Sequence, residues 1–334
     1  MKYIHGISTD PAFNLAFEEY VFENLNPDQD YFMLWQNDNA IIVGKYQNTL
    51  EEINLNYVKD HHIKVIRRLT GGGAVYHDLG NLNFTFITRQ GESVEAFDFQ
   101  FFIKPIAKAL AKMGISTAFN GRNDITIDGK KFSGNSQYVK NGRILHHGTI
   151  MFNSDTSVMQ KALNVKNVKI HSKGVKSVKS RVTNIIDHLT YSNLTLKDFE
   201  NLLLTAMFED NTIEEIHLTD KDVSAIELLK KNKYDTEDWN FGHSPAFDLR
   251  IDQKFDSGLV TLLLNINHQT IQSLHIFGDF FGNGNLQKLE RTLTGVHFDE
   301  VSIRKSLEGF QVSDYIIGVT TEDFIALFHD YIYA

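Results

Sequence analysis

Behind Asp10 and Pro11 the apolar residues recur at helical spacing, with Phe13, Ala16, Phe17 and Tyr20 on one face. An aspartate that can accept from the first free amides, followed by a proline already at helical φ, predicts a helix start there. The period then shortens. Runs 31–35 and 40–45 are short and apolar, and predict two strands joined across the turn-forming residues 36–39. Thr49 with Glu52 three residues on predicts a capped helix that reaches about His61.

From Lys64 to Thr88 a β-branched run leads through Arg67, Arg68 and three glycines, Gly71 to Gly73. It continues into a stretch that alternates Phe84 and Phe86 against Thr85 and Ile87. The unit is strand, glycine loop, strand. Glycines let a backbone pass through positive φ and bring its N–H groups close to an anion, and guanidinium forks match phosphate or carboxylate oxygens. A hairpin turn beside two surface arginines accounts for the same residues. No Gly-Lys-Ser/Thr follows, and a strand rather than a helix comes next, so neither a Walker loop nor a dinucleotide fingerprint fits.

Further on, a helix over 103–113 is predicted, interrupted by Pro105 and ended by Gly114. Residues 124–153 read as a three-stranded meander turned at Asp128-Gly129 and Asn141-Gly142. Gly134, inside one of these strands, suggests a bulge or a ligand close to the backbone. Capped helices are predicted over 195–208 and 220–233. The polar stretch 235–245 marks a domain boundary. Beyond it come three strands over 247–281 and helices near 286–294, 298–307 and 321–331.

A length of 334 residues sets two domains as the prior, and the formal charge of −9 argues against a general nucleic-acid binder. No apolar run approaches a membrane span and the N-terminus lacks a signal-peptide pattern, so a cytoplasmic protein is expected. The chain has no cysteine, which removes disulfides, thiolate zinc sites and cysteine nucleophiles. Between Thr156 and Ile186 there is no acidic residue, while Lys161, Lys166, Lys169, Lys173, Lys176, Lys179 and Arg181 accumulate. Such a run is a solvated face or a loop over anions.

The segments RRLTGGGAVYHD, GRNDI, DGKKFSGN, HHGTI and SKGVKSVKSRVTNI, in that order, resemble the lipoate–protein ligase A family. The resemblance implies an α+β fold: a mixed-sheet biotin/lipoate-ligase catalytic domain, similar to class II synthetases, over 1–240, and a small C-terminal α/β accessory domain over 246–334. It also implies an activity, in which ATP and Mg²⁺ activate lipoate as lipoyl-AMP and the lipoyl group passes to a protein lysine.

On its own residues, Lys131 is a lysine after a hairpin turn. By the resemblance it is the catalytic cation, touching both the lipoyl carbonyl and the adenylate phosphate. Arg68, Gly73, Ala74, Val75, Tyr76, Asn123, Asp124, Lys173 and Ser180 would join it in binding the nucleotide, with Asp124 also a candidate Mg²⁺ ligand. Gly71, Gly72, Gly73, His77, Ser133, Gly134 and His147 would line lipoate. The implied partners are lipoyl domains of 2-oxoacid dehydrogenase E2 subunits or the glycine-cleavage H protein, met by a monomer that binds neither nucleic acid nor membrane. Leu69 and Thr70 depart from the family pattern and leave the choice between lipoate and octanoate open. An octanoyl or lipoyl transferase working between carrier proteins without ATP is the alternative. Members of that group that pass through an acyl-thioester need a cysteine.

Overall fold

The Asp10 carboxylate accepts from the amide of Ala12 and starts α1 (Pro11–Asn24), after a first strand β1 (Lys2–His5) that the apolar pattern does not announce. The computed structural model describes residues 1–91, 94–120, 123–164, 181–189, 193–208, 213–242 and 245–332. The chain continues through β2 (Tyr31–Trp35), β3 (Ala40–Val43), α2 (Thr49–Glu52), α3 (Leu55–Asp60), β4 (Lys64–Arg67), β5 (Val75–His77) and β6 (Asn81–Arg89). Next come α4 (Phe99–Lys112), β7 (Ala118–Asn120), β8 (Asp124–Ile127), β9 (Lys130–Lys140), β10 (Arg143–Met151), α5 (Thr156–Ala162), α6 (Leu196–Phe208), α7 (Asp220–Leu229) and α8 (Glu237–Asn240). The last part holds β11 (Leu249–Phe255), β12 (Gly258–Asn267), β13 (Thr270–Gly278), α9 (Leu286–Leu293), α10 (Glu300–Ser306), α11 (Thr321–Ala326) and α12 (His329–Ile332).

Two compact units result. One comprises Met1–Val43, Leu50–Leu69 and Ala74–Asn240; the other comprises Gly44–Thr49, Thr70–Gly73 and Phe241–Ala334. In the first, a seven-stranded sheet runs β1-β2-β6-β10-β9-β8-β7, and a small sheet runs β4-β3-β5. Its core joins α1, β2 and the small sheet through Phe17, Val21, Met33, Ile42 and Ile66. In the second, β11-β12-β13 form an antiparallel sheet whose Val260, Leu262 and Ile276 pack with Leu289 and Leu293 of α9.

Several expectations need correction. The strands over 31–35 and 40–45 do not pair with each other: β2 lies between β1 and β6, and β3 between β4 and β5, so residues 36–39 carry the chain from one sheet to the other. Both strands, β2 and β3, are buried along their whole length, which is the mark of a central strand rather than of half a solvated hairpin. The helix predicted from Thr49 to His61 is broken into α2 and α3. Ile53 bridges to Leu163, and Asn54 caps the second piece by accepting from the Tyr57 amide. α4 begins at an Asp98 cap and runs through Pro105 without a break. The helix over 321–331 is two short ones, α11 and α12. The meander stands as expected, with φ of 50° and 75° at Asp128-Gly129 and 52° and 71° at Asn141-Gly142, the left-handed pairs of tight hairpins.

Candidate active site

On one face of the seven-stranded sheet five residues form a row across the strands. Trp35 lies opposite Asn83, Asn83 opposite Thr149, and Gly134 opposite Asp124, while the Gly134 amide donates to Thr149 Oγ1 at 3.1 Å. Opposed residues of antiparallel strands share a face, and neighbouring strands lie about 4.8 Å apart, so the row is about 19 Å long. Beside it runs a second row, Met33, Thr85, His147 and Ser136.

Lys131 stands at the Asp124 end. The pairing of β8 with β9 shifts register between Ile125 and Thr126, which puts Lys131 opposite Thr126 and Ser133 opposite Ile125. Phe132 is the extra residue and is fully buried. Such a bulge re-aims the neighbouring side chains. The Lys131 amide donates to the Arg181 carbonyl at 2.8 Å and its carbonyl accepts from the Thr183 amide at 2.9 Å, so its backbone is held from β8 and from the chain after residue 180. Its ammonium lies 2.7 Å from Asp124 Oδ1, with the two side chains 37% and 35% exposed.

That ammonium also lies over Gly134, where an added Cβ would come within 2.9 Å of Lys131 Nζ. Gly134→Ala should therefore displace the cation and slow the acyl-adenylate formation that the resemblance implies by about tenfold to a hundredfold, the scale of an ångström-size misplacement. Its thermal midpoint should stay near wild type, since only a flexible tip must yield. Unchanged turnover would show that this resting position is immaterial.

The second row is tied to α1. Trp35 Nε1 donates to Thr85 Oγ1 at 2.9 Å, Thr85 donates to Glu18 Oε1 at 2.7 Å, and His147 Nδ1 lies 2.9 and 3.1 Å from the two Glu18 oxygens. A carboxylate accepts only, so His147 carries its hydrogen on Nδ1. Glu18 is 1% exposed. Arg68 is buried with its guanidinium donating to the Ile42 carbonyl at 3.0 Å; burial pushes its pKa down to about 10 against the pull of the Glu18 charge, and it remains a cation at neutral pH. His77 accepts at Nδ1 from Asn37, whose own oxygen accepts from Asn14. Its Nε2 has no partner among the described residues, and burial, then Arg68 and His147, push its pKa down to about 3.

The opposite face anchors the residue before Asp124. The Phe97 amide donates to Gln137 Oε1, Gln137 donates to His146 Nδ1, and His146 Nε2 donates to Asn135 Oδ1. Asn135 and Asn123 then exchange bonds of 3.0 and 2.8 Å from their amide nitrogens to each other's backbone carbonyls. Every donor in this relay meets an acceptor, which requires a neutral His146, and burial holds its pKa well below the ordinary value.

Arg68, Ala74, Val75, Tyr76, His77, Asn123, Asp124, Lys131, Ser133, Gly134 and His147 thus all fall in one unit. Ser133 is fully buried and its Oγ accepts from Asn135, while Ala74 precedes the edge strand β5, where Val75 and Tyr76 pair with β3. Gly71, Gly72 and Gly73 fall in the other unit. There a Cβ on Gly71 would lie 2.5 Å from the Phe280 carbonyl oxygen, and Gly72, at φ 87°, donates its amide to that oxygen. Among the described residues no atom lies within 4 Å of a Cβ built on Gly73. Lys173, Ser180 and the run from 165 to 180 lie outside the described residues. Arg67 is a structural residue, donating to the carbonyls of Trp239 and Asn240. Sequence reasoning missed Glu18, Trp35, Asn83, Thr85, Asn135 and His146. The available signal was a polar side chain inside a strongly apolar helix or strand.

Residues 10–208 match the family described as the lipoyl protein ligase A/B catalytic domain, and residues 244–328 match the bacterial lipoate protein ligase C-terminus. The lipoate-protein ligase LplJ of Bacillus subtilis is 44% identical over 96% of this chain and 97% of its own length. Lipoate–protein ligase 1 of Staphylococcus aureus is 42% identical over 98% and 99%. Among solved structures, P. falciparum LipL1 in complex with lipoate has the same fold, with a TM-score of 0.79 at 22% identity over 99% and 98% of the two chains. The bi-partite lipoate protein ligase of Thermoplasma acidophilum, described with its E2 lipoyl domain, gives 0.63 at 27% identity over 74% and 99%. A lipoate-protein ligase A bound with ATP gives 0.61 at 26% over 72% and 99%.

Proposed function

Since this chain belongs to the lipoate–protein ligases, we propose that its cross-strand row holds lipoate with the carboxylate at Lys131 and the ring toward Trp35. The enzyme is ATP-dependent, and the order of events follows from the chemistry. A carboxylate is a poor electrophile, so one of its oxygens attacks the α-phosphorus of ATP and pyrophosphate leaves. The neutral amine of an acceptor lysine then attacks the carbonyl of lipoyl-AMP; AMP leaves and the amine gives up a proton.

The observation that carries this reading is Lys131 on its bulge, paired to Asp124 at 2.7 Å and partly exposed. Its ammonium would exchange Asp124 for the substrate anions and stabilise charge on the carbonyl oxygen and the phosphate. Arg68, Asn123 and the backbone of Ala74, Val75 and Tyr76 would bind the adenylate, with Lys173 and Ser180 added by the family pattern. His77, Ser133, Gly134 and His147 would line the acyl chain.

Among the described residues no cluster of three or more acidic or histidine side chains could hold a metal. Magnesium ordinarily uses one or two carboxylates and substrate phosphates, so Asp124 fits an ion that arrives on the nucleotide. That ion would neutralise phosphate charge. The acceptor would be a lipoyl domain of a 2-oxoacid dehydrogenase or the glycine-cleavage H protein, modified in the cytoplasm by a monomeric enzyme. Residues 1–240 would catalyse and 246–334 would assist.

Mass spectrometry of the protein quenched after mixing with ATP, Mg²⁺ and lipoate should show lipoyl-AMP with released pyrophosphate. An acyl group covalently on the enzyme, or transfer from a carrier protein without ATP, would instead establish the transferase.

A further inference from the structure

Asn83 sits inside the row, between Trp35 and Thr149, and is 2% exposed. Its Oδ1 accepts from the Asn81 amide nitrogen at 2.9 Å, which fixes the orientation of its amide. Its Nδ2 has no hydrogen-bond partner among the described residues. The neighbours on this face are already bonded. Trp35 Nε1 is on Thr85, Thr85 on Glu18, and Thr149 Oγ1 on the Gly134 amide. A buried amide N–H without an acceptor is costly, and such groups in native proteins meet a ligand or an ordered water.

The position of this donor says which part of a substrate it would meet. Gly134, under the Lys131 ammonium, and Asn83 are two strands apart, about 10 Å. This is roughly the extended length of an octanoyl-sized chain. With the carboxylate at Lys131, Asn83 faces the far end of the acyl group. In octanoate that end is methylene and methyl, which accept nothing. In lipoate it is a dithiolane, whose sulfurs are weak acceptors, as a thioether sulfur is.

We propose that Asn83 is a specificity-determining residue whose amide nitrogen donates to a dithiolane sulfur, so that the site prefers lipoate to a plain acyl chain of equal length. The inference rests on the carboxylate placement proposed above.

The test compares kcat/KM for pyrophosphate release with lipoate, octanoate and a cyclopentyl-substituted pentanoate, which keeps the shape of the ring without its sulfur. Wild type should favour lipoate over both. Asn83→Leu should cut that preference by about fivefold to tenfold, the scale of one neutral hydrogen bond. The loss should fall on KM for lipoate, with octanoate turnover kept or improved. Asn83→Asp retains the acceptor for Asn81 and sets a second acceptor against the sulfur, so its preference should fall at least as far.

An unchanged ratio in both variants, as a bound water at Nδ2 would give, overturns the assignment. So does wild type treating lipoate and the cyclopentyl acid alike. Loss of all three activities in both variants at an unchanged thermal midpoint also overturns it, because a donor for sulfur cannot be needed by octanoate. If wild type forms no adenylate from any of the three, the proposed function fails instead.

Discussion

Lys131→Ala should slow the formation of lipoyl-AMP by about a hundredfold or more, the cost of removing one preorganised donor from a developing anion. Its thermal midpoint should hardly move. The side chain is 37% exposed and its ion pair, to an Asp124 that is 35% exposed, is of the kind that contributes about 0–1 kcal/mol. The backbone of Lys131, bonded to Arg181 and Thr183, is untouched by the substitution. Lys131→Arg should not restore the rate. A planar fork does not reproduce the point charge of a compact ammonium that lies over Gly134, 2.9 Å from where a Cβ would stand. Single-turnover adenylation followed by rapid quench measures the effect. A variant that keeps more than a tenth of wild-type rate would leave Lys131 a surface residue beside a turn.

How much of this was legible beforehand depended on whether the signal was local. The Asp128-Gly129 and Asn141-Gly142 dipeptides need left-handed φ at both positions, so they placed the meander, and with it Lys131 and Gly134, from four residues. The Asp10-Pro11 start was equally local. By contrast, nothing near residues 31–45 says which strand lies beside which. Two buried apolar runs joined by a turn look the same whether they pair or part, and here they part into separate sheets.

The same limit governs the site. Lys131, Asp124 and His147 stood inside motifs, but Glu18 is one acid on a helix whose apolar residues lie on every side, and its meaning comes from His147, 129 positions later. His146 finds its partners on another strand, while Asn83 is bonded to Asn81 of its own strand and has no described partner at Nδ2. The glycine loop shows a second demand on the same residues: Gly71 and Gly72, which the family pattern places at lipoate, also pack closely on the Phe280 backbone, a contact that no local signal announces.

Stability should fall steeply between about pH 6.5 and about pH 4.5, because two fully buried histidines must stay neutral in the folded protein. His77 titrates at about 3 when folded against an ordinary 6.5, and His146 is depressed in the same direction, both chiefly by burial. Within that window the unfolded chain binds more protons than the folded one, so stability rises with pH. It is fully present above 6.5 and is lost as pH falls toward the folded values. His77 alone contributes a slope of about 1.4 kcal/mol per pH unit, or about 3 kcal/mol by pH 4.5.

The depressed carboxylates, Asp10 and Glu200 among them, add their losses only below their ordinary 3.8 and 4.5. Glu290, raised by burial, acts with the opposite sign. That contribution is common to wild type and to a histidine variant, so the difference between their two curves isolates the histidine. His146→Gln keeps a donor for Asn135 and an acceptor for Gln137 but cannot titrate, so its unfolding free energy should fall about half as steeply with acid as that of wild type. Denaturant melts at several pH values give both slopes. A wild-type curve that is flat across the window, or a variant as steep as wild type, would mean that these imidazoles take up protons without unfolding and that the relay to Asn123 tolerates a charge.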